Sequence, residues 1–176
     1  MNSESEQRPT RVLVSAGSKH GATAEIAERI GSVLRERGRD TDVLAPGQVG
    51  DLSPYQAVVL GSAVYAGRWV AEAKELAGRL AGLEPPIETW LFSSGPIGDP
   101  PKPEEDAVDV AEVMEKTSAR EHRVFSGKVD KSKLGFGEKA ILVAVRAPEG
   151  DFRNWEEIEA WAREIADSLM NEEVGI

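Results

Sequence analysis

The sequence predicts an α/β fold built on a doubly wound parallel sheet. Apolar runs of strand length alternate from end to end with amphipathic segments of helical period, the pattern of a parallel sheet covered on both faces. Three of those runs open into glycine- and serine-rich segments, the places where such a sheet turns its chain. The chain has 176 residues, 40% of them hydrophobic, which is enough for one domain with a substantial core and short for two.

The first strand is Arg11-Val12-Leu13-Val14, which empties into Ser15-Ala16-Gly17. Residues 22–37 form the first helix, because Ile26, Ile30, Val33 and Leu34 share one face and Gly38 stands where a left-handed cap favours glycine. A short second strand covers 41–44. Residues 56–60 are apolar after Gln56, so this third strand is central, and it opens into Gly61-Ser62-Ala63-Val64-Tyr65-Ala66-Gly67, read as a loop. The next helix turns Val70, Ala73, Leu76, Ala77 and Leu80 inward. Pro85-Pro86 break the chain before the strand at 87–92, and Ser93-Ser94-Gly95-Pro96-Ile97-Gly98 reads as a third loop on the same sheet edge. Pro100, Pro101 and Pro103 lead into an acidic helix with Ala107, Val110, Ala111 and Met114 inward. Residues 121–126 read as the fifth strand. The last helix sets Trp155, Ile158, Trp161, Ala162, Ile165 and Leu169 at three-to-four spacing.

Residues 127–152 are too many for a simple connection, so an insertion is expected there, with Leu134, Ile141, Leu142 and Val145 forming the apolar face of a short helix. The domain then runs over 11–170, between a disordered tail at 1–10 and a second tail at 171–176.

Composition narrows the chemistry. The chain has no cysteine and only two histidines, so disulfides and thiolate catalysis are out, no metal site is predicted, and redox chemistry would need a bound cofactor. The polar residues 1–10 lack the apolar segment of a secretory signal, and no stretch reaches the ~20 apolar residues of a membrane span, so a soluble cytoplasmic protein is expected. A net charge of −10 argues against nucleic acid and for a basic partner face.

In an open α/β sheet the ligand binds outside the carboxyl ends of the strands, where strand order reverses. With strands ordered 2-1-3-4-5, three segments meet there. The first, Ser18-Lys19-His20-Gly21-Ala22-Thr23, gathers hydroxyls and backbone N–H groups at a helix N-terminus and suits a terminal phosphate monoester. It is neither of the common phosphate loops: Gly17 and Gly21 are one residue too close for a P-loop, and no G-x-G-x-x-G follows the strand. The second and third, with Ser62, Ala63, Val64 and Tyr65 and with Ser93, Ser94, Gly95 and Pro96, can lie against a flat heterocycle and offer it backbone hydrogen bonds. Tyr65 is the natural stacking group. No side chain is an evident catalytic acid or base, so catalytic residues are not assigned. His122, on a predicted strand, reads as structural.

These residues carry a resemblance. The chain resembles the flavodoxin family over about residues 11–169, and within it the branch containing menaquinone-dependent protoporphyrinogen IX dehydrogenase. The match rests on Ser18-Lys19-His20-Gly21-Ala22-Thr23, on Gly61-Ser62-Ala63-Val64-Tyr65-Ala66-Gly67, and on the stretch from Asn154-Trp155 to Trp161-Ala162-Arg163-Glu164-Ile165-Ala166. The resemblance implies a flavodoxin-like, doubly wound five-stranded parallel sheet that holds FMN by its phosphate at Ser18 to Thr23, with the ring between Ser62 to Tyr65 and Ser93 to Pro96. It further implies an oxidoreductase with a redox partner protein or quinone, a porphyrinogen substrate if the branch holds, and at most peripheral membrane contact. Residues 127–152 depart from the arginine- and aromatic-rich insertion of that branch, since Phe136 and Phe152 are their only aromatics. Between Arg120 and Lys139, however, six Lys/Arg face three Asp/Glu, a local charge of +3.

The alternatives are an electron carrier without its own small-molecule substrate and a cofactor-free interaction module. A phospho-acceptor receiver of the same topology is excluded, because Ser15-Ala16-Gly17 and Gly61-Ser62 stand where it needs acidic residues. Reduction adds negative charge to a flavin ring, so an acidic protein with no cation beside that charge is expected to lower the flavin's potential.

Overall fold

The computed structural model describes residues 9–65, 67–95, 109–129 and 150–173. Five strands run parallel: β1 (Arg11–Gly17), β2 (Thr41–Val43), β3 (Tyr55–Tyr65), β5 (Glu88–Ser94) and β6 (His122–Phe125). They lie in the order β2-β1-β3-β5-β6. A two-residue strand, β4 (Arg68–Trp69), returns antiparallel along the end of β3, so the predicted 2-1-3-4-5 arrangement holds with one short addition. The chain runs outward from β1 to β2 and then crosses to β3 on the other side. Strand order therefore reverses between β1 and β3.

Period-2 alternation divides the strand side chains between two apolar layers. Val12, Val14, Ala57, Val59, Trp90 and Phe92 pack under α1 (Ala22–Glu36) and α4 (Trp155–Glu173) through Ile26, Ile30, Leu34, Ile158, Trp161 and Ile165. On the other face Leu13, Val58, Leu60 and Leu91 meet α2 (Ala71–Ala81) and α3 (Val110–Thr117) through Leu76, Leu80, Val110 and Val113. Phe92, Phe125 and Trp161 form a ring cluster with centroids 5.6–6.0 Å apart and tilted planes, which ties β5, β6 and α4 together. Such pairs contribute about 0.5–1.5 kcal/mol each beyond area burial.

The first helix ends as its sequence indicates. Gly38, at φ +84°, donates its N–H to Arg35 O at 3.0 Å, and Arg39 donates to Leu34 O at 2.9 Å, which is the paired 5→2 and 6→1 closure of a Schellman cap.

Three expectations are corrected. Residues 61–65 are not a loop: β3 continues through Tyr65, because Ser62 and Ala63 pair with Ser93 and Ser94 of β5, and Val64 and Tyr65 pair with β4. Ser93 and Ser94 likewise belong to strand β5 rather than to the loop after it. In α3 the buried residues are Val110, Val113 and Thr117, with Met114 partly covered, whereas Ala111 is exposed. The strand β7 (Lys128–Val129) pairs antiparallel with β8 (Gly150–Asp151), so the two ends of the expected insertion are joined. Its predicted short helix, together with Ala107, Pro96, Ile97 and Gly98, lies outside the described residues.

Candidate functional site

The site forms at the carboxyl edge of the sheet, beside the reversal of strand order. There the strand ends are level, Gly17 facing Ser62 on β3 and Ala63 facing Ser94 on β5. Gly17 lets α2 close onto this edge, because a Cβ at that position would stand 2.2 Å from Val70 Cγ2.

Between β1 and α1 the chain makes a tight turn. Ser18 Oγ accepts the Gly21 N–H at 3.1 Å, and Gly21 adopts φ +90°, a conformation costly for any residue with a side chain. A Cβ there would meet nothing within 4 Å, so the space above the turn is open. No side chain caps the start of α1. Glu25 makes the first helical bond, to Gly21 O at 3.1 Å, and helix geometry leaves the preceding N–H groups, of Ala22, Thr23 and Ala24, without intrahelical acceptors. Gly21 is exposed, Ala22 half-buried, and Thr23 only 3% exposed.

The β3–β4 hairpin comes against this turn. Tyr65 meets His20 edge-on, with ring centroids 6.2 Å apart and planes at 78°, and Lys19 Nζ stands 5.3 Å from the Tyr65 ring centroid. Ser18, Lys19, His20, Gly21 and Tyr65 are thus brought together.

Other predicted site residues are placed differently. Ser62 is fully buried, its hydroxyl donating to Ala63 O at 2.8 Å and accepting the Val70 N–H at 2.9 Å. Ser93, 1% exposed, accepts Trp69 Nε1–H at 2.7 Å and lies 2.7 Å from His122 Nε2. Both hydroxyls thereby hold the hairpin to the sheet. Ala63, Val64, Ser94 and Gly95 are buried at the same edge, and Gly95 donates to Phe125 O at 3.0 Å. Pro96 lies outside the described residues.

Across most of its length the chain matches the flavodoxin domain model, over residues 13–154. The chain belongs to the flavodoxin family. No curated protein sequence matches it significantly. Among solved structures it is similar to rubredoxin oxygen:oxidoreductase from Desulfovibrio gigas, at 16% identity and a TM-score of 0.63 over 94% of this chain. This chain spans only 37% of that protein. It is also similar to a flavodoxin from the domain Archaea, at 17% identity and a TM-score of 0.60, covering 91% of this chain and 99% of that one. The flavodoxin of Streptococcus pneumonia TIGR4 matches at 20% identity and a TM-score of 0.60, covering 89% and 98%. At these identities the likeness is one of fold.

Family membership makes FMN the cofactor, and this flavodoxin's own residues suit it. An uncapped helix start below open space could hold a phosphate, Lys19 and His20 bring positive or ionisable groups to the same turn, and Tyr65 stands beside it. Among the described residues no cluster of His, Asp and Glu is arranged to hold a metal ion, and no helix is long and apolar enough to cross a membrane.

Three residues of this region were not singled out from the sequence. Trp69, 3% exposed, anchors the hairpin through Ser93 and through its own N–H, which donates to Asp109 Oδ1 at 3.2 Å. Asp109 is 7% exposed and pairs with Lys74 Nζ at 3.1 Å. Arg153, whose side chain is 4% exposed, reaches the first turn of α1 from the far end of the chain. A tryptophan two residues beyond Gly67 and the Asp151-x-Arg153 spacing beside Trp155 were the available signals.

Proposed function

We propose that this flavodoxin is an electron carrier that exchanges electrons with a redox partner protein. The observation that carries this reading is the uncapped N-terminus of α1, opening under the Ser18–Gly21 turn and beside Tyr65. The backbone N–H groups of Ala22 and Thr23, with the Ser18 and Thr23 hydroxyls, would hold the phosphate, and Lys19 and His20 would offset its charge. Tyr65 and the backbone around Ala63, Val64 and Gly95 would border the ring. FMN, when bound, supplies one- and two-electron redox chemistry. The protein's part is to bind it, orient it and keep one edge open to a partner. Flavodoxins and a rubredoxin oxygen:oxidoreductase are the fold's neighbours, in keeping with that role.

The alternative is a dehydrogenase acting on a porphyrinogen, with a quinone as acceptor and peripheral membrane contact. It draws on the basic cluster between Arg120 and Lys139, which could meet the carboxylates of a tetrapyrrole. Two of those cations are already engaged: Arg120 pairs with Glu88, and Arg123 with Glu121 and Glu164. That favours the carrier.

The test has two stages. FMN added to purified protein should give a coloured complex with quenched flavin fluorescence, and a colourless protein would remove the reading altogether. The reduced complex should then pass electrons to a redox protein without turnover of protoporphyrinogen. Turnover coupled to quinone reduction would establish the dehydrogenase instead.

A further inference from the structure

Glu25 sits in the first turn of α1, where its negative charge would oppose a phosphate bound at the same helix end. Its carboxylate is not left to act alone. Arg153 Nη1 donates to Glu25 Oε2 and, at 3.2 Å, to the Ala22 carbonyl, both in that first turn. The rest of the guanidinium grips Asp151, with Nε on Oδ1 at 2.9 Å and Nη2 on Oδ2 at 2.7 Å, while its carbon lies 4.6 Å from the Trp155 ring centroid. The Arg153 backbone N–H also donates to Asp151 Oδ1 at 3.1 Å. Every edge of the planar fork is used, and 4% of the side chain is exposed, although its two acidic partners are open to solvent. The guanidinium is shielded by its partners, while the carboxylates it holds face solvent and are screened by salt.

We infer that Arg153 is a positioning residue of the phosphate seat, one that cancels the field of Glu25 at the start of α1 and fixes that turn to the segment leading into α4. This rests on the reading that the phosphate binds at the turn from Ser18 to Thr23. Asp151 is held below the ordinary carboxylate range chiefly by its hydrogen bond from Arg153, consistent with a permanently formed pair. Lys128 also acts on Asp151 from the facing position of the β7–β8 ladder, so the two carboxylates are largely balanced while Arg153 is in place. Loss of the guanidinium would add one net negative charge beside an incoming dianion.

The experiment compares FMN with riboflavin, which has the same ring and no phosphate, by fluorescence quenching, together with the melting temperature of the flavin-free protein. Arg153→Gln should weaken FMN by about three- to tenfold and riboflavin by less than about twofold, the size expected of one charge at a helix end. Arg153→Lys keeps the charge and loses the fork, so it should lower the melting temperature yet retain most of the preference for FMN. Glu25→Gln, which needs no buried change, should tighten FMN by about two- to threefold and leave riboflavin alone. Thr23→Val is the control for the seat. If Thr23→Val lowers FMN selectively but Arg153→Gln weakens both flavins equally or neither, or Glu25→Gln leaves FMN unchanged, then Arg153 is a brace of the fold and the inference is wrong. If Thr23→Val leaves the ratio of the two flavins unchanged, the phosphate seat itself is misplaced, and the role of Arg153 falls with it.

Discussion

Thr23 occupies the first turn of α1, 3% exposed, at a helix start that no side chain caps. Replacement by Val should cost about 1.5–3 kcal/mol of FMN affinity, the range for a hydrogen bond to a charged group, with little loss of folding stability. Titration with FMN and a urea melt of the same preparation separate the two effects. Tyr55 gives a prediction far from the site. Its hydroxyl donates to Asp42 Oδ2 at 2.7 Å, and burial, then that carboxylate, push its pKa from 10.0 up to about 12. A folded-state value above the unfolded one means the contribution is complete below pH 10.0 and lost as pH rises towards about 12. Melting temperatures should therefore fall across that window, and Tyr55→Phe should flatten the fall while lowering stability at neutral pH. At this scale the sequence is readable where neighbours along the chain do the work. Ser18, Gly21 and Lys19 are such residues. Arg153 and Glu25 are 128 residues apart and Trp69 and Asp109 40 apart, and no local pattern announces contacts of that length.

Helices were legible because their period and caps are local. The first helix was expected over 22–37 and spans Ala22–Glu36, its buried face including the four residues expected. Strand β3 was not legible over its last five residues. Gly61-Ser62-Ala63 carries the small residues of a loop, but pairing with β5 and the turn back to β4 override that propensity, as tertiary context does in sheets. The inward face expected for α3 took Ala111 where the structure buries Val113 and Thr117, a face rotated about the same helical axis. Two predictions belong here. Gly21→Ala forces a side chain into φ +90° and should cost about 1–2 kcal/mol of stability, with weaker FMN binding as the turn reopens. Trp161→Ala empties the contact between α4 and the rings of Phe92 and Phe125, and should destabilise by about 3–5 kcal/mol in a denaturant melt while leaving the preference for FMN over riboflavin intact.

Across the whole molecule, hydrophobic patterning made the alternation of strands and helices legible, and the strand order assumed with it is the order the sheet adopts. With a net charge of −10, encounter with a basic redox partner should be fast at low ionic strength and slow steeply with added salt, which stopped-flow electron transfer measures. An uncharged docking face would show no such slope. Acid should act through the Arg153 clamp. The Asp151 pKa is lowered from 3.8, so its contribution is intact above that value and lost as pH falls through the lower one. Val129 and Gly150 are partners on the short β7–β8 ladder, so the stretch 130–149 is bracketed in sequence by the two ends of one rung. That stretch can be deleted as a unit. Cutting it out and bridging the rung with Asn-Gly gives a chain of about the size of a minimal domain, on which the carrier role and any acquired substrate preference can be assayed apart.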